Sequence, residues 1–456
     1  MQISRHFVDI SGRRVHYRRC GAGPTLLMVH QSPRSSAEYE ALMREWGAHF
    51  TCIAPDTPGF GQSDPLAGDE PGIDDFADAI VELIDALGLA RVAAYGFHSG
   101  GIILVTALKR HPDRFSCLAV GGYAIWTPEE MALFGEHYLP AFEPSAYGEH
   151  LTWLWNRMLE QSWFFPWFDV RPEARLSVAH ADVARVDAAV REMLDSGAAY
   201  RAGYGAVLRA PRDIPPVDAV TPPVLITAYE GDPLQPHIDR LGPMPQGWSA
   251  HKLATPTEHQ ADSLAFLRQH ANGSAPPIDD AENEGFLQVV TDAFDGLIHW
   301  RGHRGGPLTL HPPGSAADLI DPGQGAVIDL PGHGLSACWP GQPPENWGAW
   351  KAVIDGAAEA LGASHVILPA VPDGAPDLLF PDLTPDRFGS YLTRAWAIVR
   401  ARHLFDPWYA ADAAHARAFD LTDINADKLA RDHRALIRAT AARPYLVALR
   451  SHEGES

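Results

Sequence analysis

The stretch Val92-Ala-Ala-Tyr-Gly96-Phe97-His98-Ser99-Gly100-Gly101 decides the reading of this chain. A short apolar strand, Val92 to Tyr95, runs into a helical pattern that begins at about Ser99. Glycines two before and two after His98 permit a sharp strand-turn-helix bend, which lifts the central side chain above a sheet. Counting from Gly96 to Gly100 makes His98 that central residue. Centring the bend on Ser99 would place bulky Phe97 where a small residue is needed.

Outward from this bend, short apolar runs alternate with helical patterns. Thr25 to Val29, Thr51 to Ala54, Cys117 to Val120 and Val224 to Ala228 read as strands. Helices are expected from about Ser36, over about Asp74 to Leu87, and after His259. Fully apolar strands separated by helices indicate an α/β protein with a largely parallel sheet covered on both faces. Between about 124 and 215 the pattern is helical and rich in aromatics, among them Trp153, Trp163 and Phe164, which suggests a helical cap over an apolar pocket.

The order of these segments resembles the α/β-hydrolase family over nearly all of residues 1–271. The residues that carry the resemblance are Val29-His30-Gln31-Ser32-Pro33, Asp56-Thr-Pro-Gly59-Phe-Gly61-Gln-Ser63, the bend at His98, Tyr229-Glu230-Gly231-Asp232, and a final His259. The resemblance implies a catalytic set of His98, Asp232 and His259, with Gln31 and Ser99 supplying oxyanion-hole amides. His98 stands where the family's nucleophilic serine is usual, and Gln31 where glycine is commoner. An imidazole there can attack an acyl carbon or act as a general base. The expectation is a hydrolase that cleaves an ester, lactone or carbon-carbon bond of a small, partly aromatic or apolar substrate. A lyase or isomerase using His98 as a base on carbon, and a catalytically inactive binding protein, are the alternatives. Arg34 is a candidate partner for a substrate carboxylate, and Trp153, Trp163 and Phe164 are candidate pocket walls. The resemblance gives His30 the role of holding its loop beside the substrate. No cofactor is expected. Two histidines and an aspartate could form a facial metal triad, but a hydrogen-bonded relay is the expected arrangement.

The chain also resembles itself. Val15-His16-Tyr17-Arg18 leading to Gly23-Pro24 recurs as Ile298-His299-Trp300-Arg301 leading to Gly306-Pro307, and Asp56 to Ser63 recurs as Asp329 to Ser336. An ungapped match at a constant offset of 241 pairs Tyr147-Gly148 with Phe388-Gly389, Trp155 with Trp396, Pro166-Trp167 with Pro407-Trp408, and Arg209 with Arg450. The Pro- and acid-rich stretch 272–284 reads as a linker, so 285–456 is expected to be a truncated, non-catalytic copy. It lacks a counterpart of the bend, and Pro372 stands in the place of His98. Retention of the cap-like part suggests an intramolecular pseudo-dimer.

The 456 residues suffice for two domains, and 46% hydrophobic with 20% charged residues is an ordinary globular composition. A net charge of −21 argues against a nucleic-acid partner. No apolar run is long enough for a bilayer, which argues against a membrane. A small-molecule substrate is the expected partner. The N-terminus reads as a strand, and Cys20, Cys52, Cys117 and Cys338 are scattered, which together suggest reduced thiols in a cytoplasm.

Overall fold

The alternating strands and helices assemble around two sheets in a computed structural model of the chain, which describes residues 1–68, 70–135, 137–278 and 282–455. Of the expected linker, residues 279–281 lie outside the described residues. The strands are β1 (Ser4–Ile10), β2 (Arg13–Cys20), β3 (Thr25–Val29), β4 (Thr51–Pro55), β5 (Val92–Phe97), β6 (Phe115–Gly121), β7 (Val224–Tyr229) and β8 (Trp248–Leu253), then β9 (Glu284–Val290), β10 (Asp295–Gly302), β11 (Leu308–Leu310), β12 (Ala326–Ile328) and β13 (Val366–Ile367). The helices are α1 (Glu40–Trp46), α2 (Ile73–Ala86), α3 (Ser99–Arg110), α4 (Pro128–Phe134), α5 (Glu149–Gln161), α6 (Val183–Ser196), α7 (Tyr200–Arg209) and α8 (Pro256–His270), then α9 (Trp347–Leu361), α10 (Pro376–Leu379), α11 (Ser390–Arg402), α12 (Ala426–Arg438) and α13 (Ala442–Glu455).

The chain divides into two units, Met1–Phe142 with Asn156–Asp279, and Glu143–Trp155 with Asp280–Ser456. The division falls inside α5 and not only at the linker, so Trp153 belongs with the second unit. In the first unit the strand order is β1-β2-β4-β3-β5-β6-β7-β8. β1, β2 and β4 pair antiparallel, and β4, β3, β5, β6, β7 and β8 are parallel in succession. β3, β4 and β6 are buried along their whole length, as the apolar runs require of strands covered on both faces. Helices α2, α3 and α7 pack on one face through Phe76, Ile80, Ile103, Leu104 and Val207, and the other face buries Met43, Trp46 and Leu267. Between β6 and β7 the main elements are helices α4 to α7.

In the second unit the order is β13-β11-β12-β10-β9. β9, β10 and β12 pair antiparallel, while β12, β11 and β13 are parallel. Its core gathers Ile298, Trp300, Ile328, Trp350 and Tyr445. Two tryptophans in this unit make reciprocal contacts. The Trp155 indole N–H donates to Arg387 O at 3.0 Å, and that of Trp396 to Ala146 O at 3.4 Å. Gly148 lies under the Trp396 ring and Gly389 under Trp155, each with a positive φ and no room for a Cβ.

Candidate active site

Close packing explains why the turn after β5 needs its flanking glycines. A Cβ on Gly96 would lie 2.7 Å from the Gly100 backbone, and one on Gly100 would lie 1.9 Å from Val29 O. The residue between them, His98, takes φ 48 and ψ −111, one of only two non-glycine residues with positive φ among those described. Strain of this kind persists where the surroundings over-determine it, as at the apex of a strand-to-helix elbow. The His98 ring stacks on Phe97 with centroids 4.1 Å apart, and its side chain is 25% exposed.

The loop after β7 brings Asp232 to this ring. His98 Nε2 lies 3.1 and 3.2 Å from the two Asp232 oxygens, and Leu234 N–H donates to the same carboxylate at 2.8 Å. Burial alone would raise the Asp232 pKa, but the imidazole and the backbone amide outweigh it and hold the group below its ordinary value. Gly122, at φ +60, gives the pair its room. A Cβ there would sit 2.3 Å from His98 Cδ2 and 2.9 Å from Asp232 Oδ2.

His259 has different partners from those the sequence suggests. α8 already starts at Pro256, capped by Thr255, so His259 occupies its first turn and not a loop before it. The side chain is thereby turned into the sheet, where Tyr95 OH lies 2.9 Å from Nε2 and Thr227 Oγ1 2.6 Å from Nδ1. Burial pushes its pKa down to about 4, which keeps the ring neutral. The Asp232 carboxylate therefore pairs with His98, and the expected Asp232–His259 hydrogen bond is replaced by this pairing. Nor do the three converge as a metal triad, since no metal-ligating group of three or more His, Cys, Asp or Glu occurs among the described residues.

Around Gln31 the expected oxyanion donor is already occupied. Gln31 N–H donates to one oxygen of Glu38 at 2.8 Å, and its side-chain amide donates to the other at 3.0 Å. Burial pushes the Glu38 carboxyl up to about 7, against the pull of Arg34 and of these amides. Ser99 heads α3, where first-turn amides have no partner within the helix, and its Oγ accepts Ser32 N–H at 2.9 Å. Arg34 pairs with Glu192 of α6, whose carboxylate also accepts Ser35 Oγ–H at 2.8 Å. His30 is 1% exposed. Its Nε2 accepts Thr57 N–H at 2.9 Å and its Nδ1–H donates to Gln31 O, so it ties two loops together and does not face a ligand.

A cavity of about 680 Å³ is lined by Gln31, Arg34, Glu38, Tyr95, Phe97 and His259, and the His98–Asp232 pair lies outside that lining, next to Phe97. Its outer wall comes from α6, through Ala184, Arg185 and Ala188, and not from the expected Trp153, Trp163 or Phe164. Trp163 donates its indole N–H to His180 O at 2.8 Å, and Phe164 forms a β-bridge with Arg175. Glu38, Tyr95 and α6 are the site residues that sequence reasoning missed. The spacing of Glu38 seven residues after Gln31 carries no motif, whereas Tyr95 could have been noticed as a polar tip on an otherwise apolar strand.

A strained elbow after β5, an acid after β7 and a histidine at the head of the last helix define the hydrolase class of α/β fold. A sequence profile described as the alpha/beta hydrolase fold matches residues 24–253, and the chain belongs to that family. Among curated proteins it is 35% identical over 130 residues to haloalkane dehalogenase 2 of Mycobacterium tuberculosis, covering 28% of this chain and 45% of that one. It is 33% identical over 103 residues to the soluble epoxide hydrolase of Corynebacterium sp. strain C12, covering 22% and 35%. The match thus spans less than half the length of either relative. Among solved structures, the epoxide hydrolase CorEH aligns over 59% of this chain and 99% of its own, at 19% identity and a TM-score of 0.43. No helix among the described residues is long and apolar enough to cross a membrane.

Proposed function

We propose that the first unit is an enzyme of the hydrolase class in which a His98–Asp232 pair replaces the usual nucleophile. The observation that carries this reading is the elbow itself, where a strained, partly exposed imidazole is held by a buried carboxylate. With Nε2–H donated to Asp232, the Nδ1 lone pair is the basic site. It is suited to take a proton from water attacking an ester, a lactone or a carbon-carbon bond beside a carbonyl. Asp232 fixes the tautomer and stabilises the imidazolium that forms. The substrate would be small and partly aromatic or apolar, held between Phe97, Tyr229 and the α6 wall. The activities for which the relatives are named, haloalkane dehalogenation and epoxide hydrolysis, are compatible with water as the incoming group.

One observation favours a second reading. Because Glu38 occupies the Gln31 amide, stabilisation of an oxyanion is reduced to the Ser99 side, and proton abstraction from carbon by His98 asks less of that hole. A panel of esters, lactones and β-diketones turned over in 18O-labelled water separates the two. One labelled oxygen per turnover, in the carboxyl product, supports hydrolysis, and product without label supports a lyase or isomerase. A ligand-induced thermal shift with no turnover on any substrate would mark a binding protein and sink both.

We further propose that the second unit is a truncated copy of the first. The strand order β9-β10-β12-β11-β13 repeats β1-β2-β4-β3-β5 with the same pattern of parallel and antiparallel pairs, and counterparts of β6, β7 and β8 are lacking among the described residues. Trp155 with Arg387 and Trp396 with Ala146 are related by the offset of 241 in both partners. That reciprocity characterises an isologous interface, here a relic of a two-chain ancestor. Expression of residues 1–271 as a soluble, fully active chain with unchanged melting temperature would reject a retained structural role for that pairing.

A further inference from the structure

The second unit contains its own cavity, of about 650 Å³, where no catalytic residue is expected. It starts at Pro312, directly after His311, and extends to the C-terminal end of α11 and the segment after it. His311 holds this loop as His30 holds the one at Gln31, donating from Nδ1 to Pro312 O at 2.9 Å and accepting Leu330 N–H at 3.1 Å. Apolar wall is supplied by Pro312, Leu379, Phe380, Phe405, Trp408 and Phe419. A copy that had merely decayed would be expected to collapse such a space, because interiors are close-packed.

The charges in the wall are unequal. Of the four wall carboxylates, Asp432 pairs with His403 at 3.1 Å, Asp406 with Arg417 at 3.8 Å and Asp423 with Lys428, while Asp373 has no ion pair among the described residues. Arg402 has no ion-pair partner among the described residues. One of its five N–H groups donates to Leu379 O at 3.3 Å, and its guanidinium lies 5.1 Å from the centre of the Phe380 ring. Burial pushes its pKa down to about 10 against the attraction of the Asp432 carboxylate, and the half-buried side chain remains charged. A half-buried guanidinium with donors to spare, beside the Phe380 ring and apart from any carboxylate within ion-pair distance among the described residues, is arranged to receive a planar anion in a bidentate manner.

We propose that the second unit binds a small carboxylate with an aromatic or short alkyl body, its anionic end on Arg402 and its body against Phe380, Phe405 and Trp408. The site is independent of the chemistry at His98. Calorimetric titration of the full chain with benzoate, phenylacetate and hexanoate tests it, with benzamide as the uncharged control. Carboxylates should bind about tenfold or more tightly than benzamide, and Arg402→Gln should remove that preference while His98→Ala leaves it intact. Arg402→Lys should retain part of it, as a point charge without the fork. In crystals soaked with 4-bromobenzoate, the bromine anomalous signal should fall inside this cavity in the unsubstituted protein, which needs no variant to fold. Failure of every carboxylate to bind at about 10 mM, equal affinity for benzamide, unchanged binding in a folded Arg402→Gln protein, or bromine only outside this cavity would each overturn the proposal.

Discussion

Asp56 in the first unit and Asp329 in the second accept hydrogen bonds from matching places. Asp56 takes Ser36 N–H, Gln62 N–H and His16 Nδ1–H at 2.8 Å each, and Asp329 takes Ala317 N–H, Leu335 N–H and His299 Nδ1–H at 2.7 to 2.9 Å. The backbone N–H of each histidine donates to a serine Oγ, that of His16 to Ser63 and that of His299 to Ser336. The other ring nitrogen marks the difference. Arg5 approaches His16 Nε2 at 3.1 Å, whereas Glu284 approaches His299 Nε2 at 3.0 Å. Burial pushes the His16 pKa down to about 3, while two carboxylates overcome burial and raise that of His299. The surroundings of the buried pair thus disfavour the ring's second proton in one unit and favour it in the other. Its scaffold is common to both units, but the elbow is found in only one.

The largest effect that would sharpen this contrast is on turnover. His98→Ala is expected to lower kcat by about 10²- to 10⁴-fold, and Asp232→Asn to lower it less, with circular dichroism unchanged. Pro372→Ala, at the corresponding place in the second unit, should leave kcat as it was. Loss of activity in the proline variant would contradict the assignment of chemistry to one unit.

Next in size is the scaffold itself. Asp56→Ala and Asp329→Ala should each cost about 3–5 kcal/mol in urea unfolding, because each strands a buried histidine and two amides. A silent Asp329→Ala would show that the second network is ornamental and break the comparison.

A smaller effect, of opposite sign in the two units, is expected with pH. His16 has a lowered folded pKa, so its contribution is complete above the unfolded value of about 6.5 and is lost as pH falls toward about 3. His299 has a raised folded pKa, so its contribution is complete below about 6.5 and is lost as pH rises through the folded value. Urea midpoints for His16→Gln and His299→Gln, measured against the parent at pH 5.5 and 8, should therefore diverge in opposite directions. Parallel pH dependences would refute the opposite shifts. The smallest effect is at the reciprocal tryptophans, where Trp155→Phe and Trp396→Phe should each cost about 1 kcal/mol for one indole hydrogen bond. Markedly unequal losses would undo their equivalence.

Much of the fold was legible because it rests on local rules. Thr25–Val29 is a strand with the expected limits, α2 differs from its expected span by one residue at either end, and glycine spacing puts His98 at the apex. The failures concern partners chosen in three dimensions. His259 was expected to take Asp232, but the helix starts three residues before it and gives the ring to Tyr95 and Thr227. Gln31 was expected to present its amide to a ligand, yet a carboxylate seven residues away reaches back to it. Trp153 carries the composition of a pocket wall and falls in the other unit, a distinction made by packing across more than two hundred residues of sequence. Hydrophobic periodicity tells which face is buried but not which neighbour covers it.

Gly122 ties two distant positions into one heritable character. Its missing side chain leaves the space in which an imidazole on the elbow and a carboxylate after β7 meet, so a single methyl at 122 would act as a wedge between residues 134 positions apart. A lineage that exchanged its elbow residue for histidine while keeping a bulkier residue here would hold both groups and still lack the pair.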